Sequence, residues 1–202
     1  MILYHLDRQN TLPTDKSKQL SFPIDTRNTL EANTLFNSLY PNGISKTGER
    51  YLNPFDIRLD TLESSKNTCA NFRIYTIEYV FEMVRLLHFP HFPSRLTSLF
   101  ACRCPEDVVH WYNILCKNSM DTSNATVKII ETSNKTFIGD SFWRDDLLTL
   151  KVDAARQSVF SPFAYHEWAK KYWNGVTSAS PSIEVLCELP VTVIESIPYS
   201  SF

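Results

Sequence analysis

The sequence predicts a mixed body of helices and short strands, α/β or α+β, and three observations carry that prediction. Apolar residues recur at helical spacing over 73–88 and 105–117. Short runs rich in β-branched and aromatic residues, separated by polar turns, dominate the second half. Glycine is scarce: Gly43, Gly48, Gly139 and Gly175 are the only ones in 202 residues. A glycine-rich strand-to-helix turn is therefore missing, which excludes Rossmann and P-loop nucleotide sites. Any nucleotide would have to sit in a cleft built from side chains.

Each element has a local reason. Residues 1–7 alternate weakly and run into the polar stretch Asp7 to Lys18, which predicts a first strand and a loop. Asn28-Thr29-Leu30-Glu31 has capping-box spacing ahead of Leu35, Phe36 and Leu39, which predicts a helix over 29–39, stopped by Tyr40-Pro41-Asn42-Gly43. From 45 to 71 periodicity is weak and the segment reads as a long ordered loop. Ile74, Ile77, Val80, Phe81, Val84 and Leu87 then form one stripe of a helix over 73–88, with Glu78, Glu82 and Arg85 on or beside its polar face. Pro90 and Pro93 end it, and 96–103 reads as a strand.

Pro105 starts a helix over 105–117 as a first-turn proline. Segments 125–131, 136–141 and 147–153 read as a strand meander. Ser161-Pro162 opens a helix that carries Trp168, Tyr172 and Trp173 and closes at Asn174-Gly175. The last strand region, 183–197, is interrupted at Pro190. At 43% hydrophobic content the chain can bury one sizeable core, and no linker splits it, so one domain over 1–202 is expected.

Composition also excludes function classes. The net charge of −2 provides no basic field for indiscriminate nucleic-acid binding. No apolar run approaches the roughly 18 residues of a membrane span, and charges arrive too early for a secretory leader. Five cysteines, an odd number, fit a reduced interior and predict a cytoplasmic protein. His88, His91, Cys102 and Cys104 are ligand types that zinc accepts, but the Cys-x-Cys spacing is too short for a zinc knuckle and no metal is expected. A hydrolase elbow Gly-x-Ser-x-Gly does not occur. Phe160 to Trp173, with Arg156, Lys170 and Lys171, offers rings and cations for single-stranded nucleic acid, although helical spacing assigns most of those rings to a core.

What remains are reactive side chains in apolar strands: His5, Asp7 and Arg8 in the first, Arg95 and Ser98 in the second, Glu184 in the last. Such groups persist in strands when paired, solvated or used on a ligand. The series Tyr4-His5-Leu6-Asp7-Arg8, Tyr40-Pro41-Asn42-Gly43-Ile44-Ser45 with Gly48, Phe92 to Ala101, Val152-Asp153-Ala154, Tyr172-Trp173-Asn174-Gly175 and Glu184-Val185-Leu186 resembles, in order and position, uncharacterised prokaryotic domains of the ADP-ribosyltransferase fold.

That resemblance implies an α+β fold with a split β-sheet core, flanking helices and NAD as co-substrate. It implies that Glu184 is the catalytic carboxylate, aided by Arg95, and that His5, Asp7, Arg8, Ser45, Tyr51, Ser98 and Trp173 line the dinucleotide site. Glu188, an even number of residues from Glu184 and so able to share its face, is the competing carboxylate. Ser182 stands where arginine-modifying members carry Gln or Glu, which turns the expected acceptor away from protein arginine and toward RNA or DNA. A toxin or anti-phage role, with an antitoxin partner, is part of the same expectation. The alternatives are a non-catalytic binding module with an NAD-like cleft and an NAD glycohydrolase.

Overall fold

The computed structural model describes residues 1–12, 30–41, 43–45, 47–48, 51, 61–118, 120–144 and 162–202. Its elements are β1 (Ile2–Asp7), α1 (Leu30–Leu39), α2 (Leu62–His88), β2 (Ser98–Ala101), α3 (Pro105–Lys117), β3 (Thr126–Glu131), β4 (Thr136–Asp140), α4 (Pro162–Trp173), β5 (Ile183–Glu188) and β6 (Thr192–Pro198). The architecture is α+β, with two small antiparallel sheets ordered β1-β3-β6 and β2-β5-β4. The expected strand over 147–153 and the caps at Asn28 and Ser161 lie outside the described residues.

Register decides what each face carries. Antiparallel partners share a face, and β5 pairs with both neighbours: Leu186 stands opposite Phe100 and Phe137, and Glu184 opposite Gly139. Leu99, Ala101, Val185 and Cys187, on the alternate positions, pack with Leu3, Ile130, Val191 and Val193 of the first sheet into an apolar core between the sheets. The opposite face of β5 is covered by α2 and α4, through Ile77, Phe81, Val84, Ala169, Tyr172 and Trp173. On the outer face of the first sheet, α3 lays Val108 and Trp111 over Cys102, Val127, Tyr4 and Leu6.

Three expectations are corrected. The helix expected from 73 begins at 62, because Thr61 caps it: its Oγ1 accepts from the Ser64 amide at 3.0 Å, while Ser64 Oγ accepts from the Thr61 amide at 3.0 Å. The loop expected over 45–71 therefore ends ten residues early. The meander is absent, since β3 pairs with β1 and β6 whereas β4 pairs with β5. The turn between β3 and β4 is held instead to the β5–β6 connection, with Asn134 Nδ2 donating to the carbonyl of Pro190 at 2.8 Å, so the chain changes sheets there. Finally, Ile77, Phe81 and Val84 of α2 are buried as the stripe predicts, but Glu78, Glu82 and Arg85 are buried beside them and Leu87 is exposed. Pairing makes that burial tolerable: Arg85 pairs with Glu82, and Arg95 with Glu78.

Candidate functional site

α2 presents Glu78 and Glu82, one turn apart, to the interior. Between the end of α2 and β2, Arg95 reaches back to Glu78, its Nε donating to Oε2 at 3.0 Å and Nη2 to Oε1 at 3.3 Å. The same guanidinium donates through Nη1 to Glu184 Oε1 and to the Tyr172 hydroxyl, the latter at 2.8 Å. Tyr172 Oη in turn donates to Glu184 Oε1 at 2.7 Å. Arg144 approaches Glu78 Oε1 at 3.5 Å. Two carboxylates and two guanidiniums thus balance in charge, and the side chains of Arg95, Glu78 and Glu184 are only 3%, 2% and 6% exposed.

The electrostatics follow from this packing. Burial alone would raise the Glu78 carboxyl, but Arg95 and Arg144 outweigh it and hold its pKa below the ordinary carboxylate value. Burial likewise works against the charge on Arg95, and Glu184, Glu78 and Tyr172 more than restore it. Tyr172 is pushed well above the ordinary phenol range, first by burial and then by Glu184 against the opposing pull of Arg95. A neutral Tyr172 is consequently a standing hydrogen-bond donor to Glu184.

Glycine has one specific task here. A Cβ on Gly139 would lie 2.5 Å from the Tyr172 ring, so only glycine lets that ring lie across β4 and reach Glu184 on the neighbouring strand. The start of β5 is anchored separately. The Asp140 carboxylate accepts from the amides of Phe142, Ser178 and Ser182 at 3.0, 2.7 and 2.9 Å, and Trp111 Nε1 donates to the Ile183 carbonyl at 2.7 Å.

Glu184 and Arg95 border a cavity of about 290 Å3, which His5, Arg8 and Tyr51 also line. Phe100, Trp111 and Met120 supply apolar wall, and Arg144 adds a third guanidinium. His5 is held by its Nδ1–H, which donates to the Phe100 carbonyl at 2.7 Å. That bond fixes the proton on Nδ1 in the neutral ring, and so makes Nε2 the acceptor nitrogen. Five of the nine residues expected at the site therefore meet in one place.

The other four sit elsewhere. Asp7 is buried and accepts from the Leu12 amide at 2.7 Å, closing the turn after β1. Burial would raise its carboxyl, yet the Leu12 and Thr11 bonds, with His5 and Lys128 nearby, hold it low. Ser45 Oγ donates to the Leu96 carbonyl at 3.1 Å and accepts from the Gly48 amide at 3.1 Å. Ser98 Oγ donates to the Ser94 carbonyl at 2.6 Å. Trp173 is 1% exposed, and its indole donates to the Phe81 carbonyl at 2.8 Å. These are scaffold positions: each polar atom is spent inside the protein, and none of the four lines the cavity.

Glu188 shares the face of Glu184, as the even spacing requires, but borders a different hollow of about 240 Å3 with Arg85, Ser94 and Tyr40. Of the aromatic segment, Tyr165, Tyr172 and Trp173 belong to the core and Phe163 is exposed; Arg156 and Phe160 lie outside the described residues. Cys102 is buried, and burial, with Asp107, Cys104 and Glu184 nearby, pushes its thiol up to about 12. No helix among the described residues is long and apolar enough to cross a membrane. Sequence reasoning missed Glu78, Tyr172 and Arg144 as members of the site. Gly139, opposite Glu184, was the available signal for a ring lying across that strand.

A family model described as "Protein of unknown function (DUF2441)" matches residues 3–199, and the chain belongs to that family. No curated protein matches it.

Proposed function

We propose that this chain is an NAD-dependent ADP-ribosyltransferase that moves ADP-ribose from NAD to a macromolecule, with the Glu184 cavity as its donor site. One observation carries the reading: His5 of the first sheet, Arg8 in the turn after β1, Arg95, Tyr51 and Glu184 converge on a single cavity. The lining fits such a substrate by type. Guanidiniums of Arg8 and Arg144 suit a pyrophosphate, and Tyr51 and Trp111 offer rings to a nucleobase. At about 290 Å3 the cavity is near the lower end of the about 300–1,000 Å3 usual for ligand sites, so it takes one end of the dinucleotide.

The chemistry asked of Glu184 is electrostatic. When the bond between the ribose and the nicotinamide nitrogen breaks, that bond's electron pair leaves with nicotinamide and positive charge grows on the sugar. A fixed carboxylate in a largely dry site stabilises that charge. The acceptor atom then forms its bond to the ribose carbon and gives up a proton to a base. Arg95 and Tyr172 hold the carboxylate in place, which makes Arg95 a positioning residue as well as a cavity wall.

The acceptor class this reading favours is a base of RNA or DNA. Incubation with labelled NAD and separate protein, RNA and DNA fractions tests it. Label should pass to nucleic acid, and Glu184→Gln should abolish transfer while circular dichroism stays unchanged. Full activity in that variant would remove Glu184 from the mechanism.

A second reading rests on the same bonds. Glu184 Oε1 is already occupied by Arg95 and Tyr172, the arrangement expected of a structural ion pair in a non-catalytic binding module. Calorimetry with NAD, together with an assay for released nicotinamide, separates the two: absence of both binding and release favours the module. Release of free ADP-ribose without labelling marks a glycohydrolase.

A further inference from the structure

A second cavity, of about 590 Å3, lies where β1, β3 and β6 end and α3 passes over them. Consecutive residues of α3 divide the two spaces, Trp111 facing the Glu184 cavity and Tyr112 this one. On a helix, neighbours diverge by about 100°, so the two sites are separated by the helix itself. Among the described residues that line the larger cavity, none carries a charge. The lining consists of amides and hydroxyls, with Gln9, Asn10, Asn124, Thr126 and Ser200 among them, beside the Tyr112 and Tyr199 rings.

Asn10 is set unusually firmly. Its φ of 51° places it in the left-handed region, where asparagine is the best tolerated residue after glycine. Its Oδ1 accepts from the Lys128 ammonium at 2.6 Å and from Thr126 Oγ1 at 3.4 Å. Lys128 is 1% exposed and also donates to Ser196 Oγ at 2.8 Å. An ammonium only donates, so the amide oxygen must face it, and the two N–H donors of Asn10 Nδ2 are left for the cavity side. A buried lysine is thus used to orient one surface amide.

We propose that this cavity is a binding site for a neutral saccharide. Three features select that class. Each sugar hydroxyl both donates and accepts, as the amides and hydroxyls of the lining do. Without a cation in the lining, phosphate, sulfate and carboxylate groups find no counter-charge. The two tyrosine rings are stacked on each other, centroids 3.6 Å apart and planes within 9°, which leaves no slot between them for a planar base. A volume of about 590 Å3 falls inside the usual range for ligand sites.

The test is an array of immobilised neutral oligosaccharides, with sialylated and sulfated glycans alongside, followed by calorimetry on the best neutral hit. The full chain should retain neutral glycans and ignore the charged ones. Asn10→Gly keeps the left-handed backbone but takes an acceptor from the buried Lys128 ammonium, so it should weaken binding at least tenfold with a lowered but still cooperative melting transition. Asn124→Ala, a surface change, should weaken it as well, while Glu184→Gln binds normally. Retention of charged glycans alone, no retention of any glycan, or undiminished binding by Asn10→Gly would each overturn the assignment.

Discussion

Glu78 and Glu82 stand one turn apart on α2, both buried and both held by arginine, yet the two networks are built differently. Glu82 is satisfied mostly nearby: Arg85, three residues on, donates at 2.8 and 3.1 Å and Ser94 Oγ at 2.8 Å, with the Tyr40 hydroxyl at 3.2 Å as a donor from farther along the chain. Glu78 is satisfied at a distance, by Arg95, which also collects Glu184 and Tyr172 from β5 and α4. The first network ties the end of α2 mainly to the segment that follows it, with Tyr40 joining from the chain after α1. The second ties four separate stretches of chain together at the wall of a cavity. Even the competing carboxylates divide in this way, since Glu184 belongs to the distant network and Glu188 borders the local one. Long-range closure is what a site requires, because it fixes groups that local structure cannot bring together.

The largest expected effect comes from removing each arginine. Arg95→Met takes the main partner from two buried carboxylates, leaving Glu78 with Arg144 at 3.5 Å and Glu184 with the Tyr172 hydroxyl, and should cost about 3–5 kcal/mol, whereas Arg85→Met leaves Glu82 its Ser94 and Tyr40 donors and should cost about 2 kcal/mol. Urea unfolding of both variants reads the difference, and equal losses would erase the distinction. Next, Glu184→Gln should lower transfer from labelled NAD by at least about 100-fold, while Glu188→Gln should leave it unchanged. The reverse result would move the chemistry to the other cavity.

Acid separates the networks more gently. The folded-state pKa of Glu78 lies below 4.5, so its stabilising contribution is complete above pH 4.5 and is lost as pH falls through the depressed folded value. Urea midpoints measured from pH 6 downward should fall steeply for the wild type and less steeply for Glu78→Gln. Identical slopes would deny Glu78 its ionised role. The smallest effect distinguishes the phenols. Tyr172→Phe and Tyr40→Phe should each cost about 1 kcal/mol, but only Tyr172→Phe should lower kcat on NAD.

Most of the fold was legible because its signals are local. Pro105 at the start of α3, the stripe Ile77-Phe81-Val84 and the break at Pro190 each act within a turn or a strand. The lower half of α2 was missed because its box uses Ser64 where Glu or Gln is the usual reciprocal partner. Sheet membership was not legible either: β3 and β4 read alike, and only long-range pairing assigns them to different sheets. The site divides along the same line. His5, Arg8, Arg95 and Glu184 could be picked out as reactive types in apolar surroundings, and Tyr51 enters only through the family resemblance. That Asp7, Ser45, Ser98 and Trp173 spend their polar atoms on the backbone depends on contacts that spacing does not encode.

One backbone joint ties the two sheets together at the wall of the Glu184 cavity. Between the described sheets, Tyr4 and Cys102 exchange two backbone hydrogen bonds, at 3.0 and 2.6 Å, as an isolated bridge. His5, Ala101 and Cys102, at or immediately beside that bridge, all line the cavity, so the joint forms part of its wall. The imidazole bond from His5 to the Phe100 carbonyl is a third link between the same two stretches of chain. Two backbone bonds and one histidine therefore hold β1 against the β2 strand at the cavity, and a ligand that parted the two sheets there would have to break them.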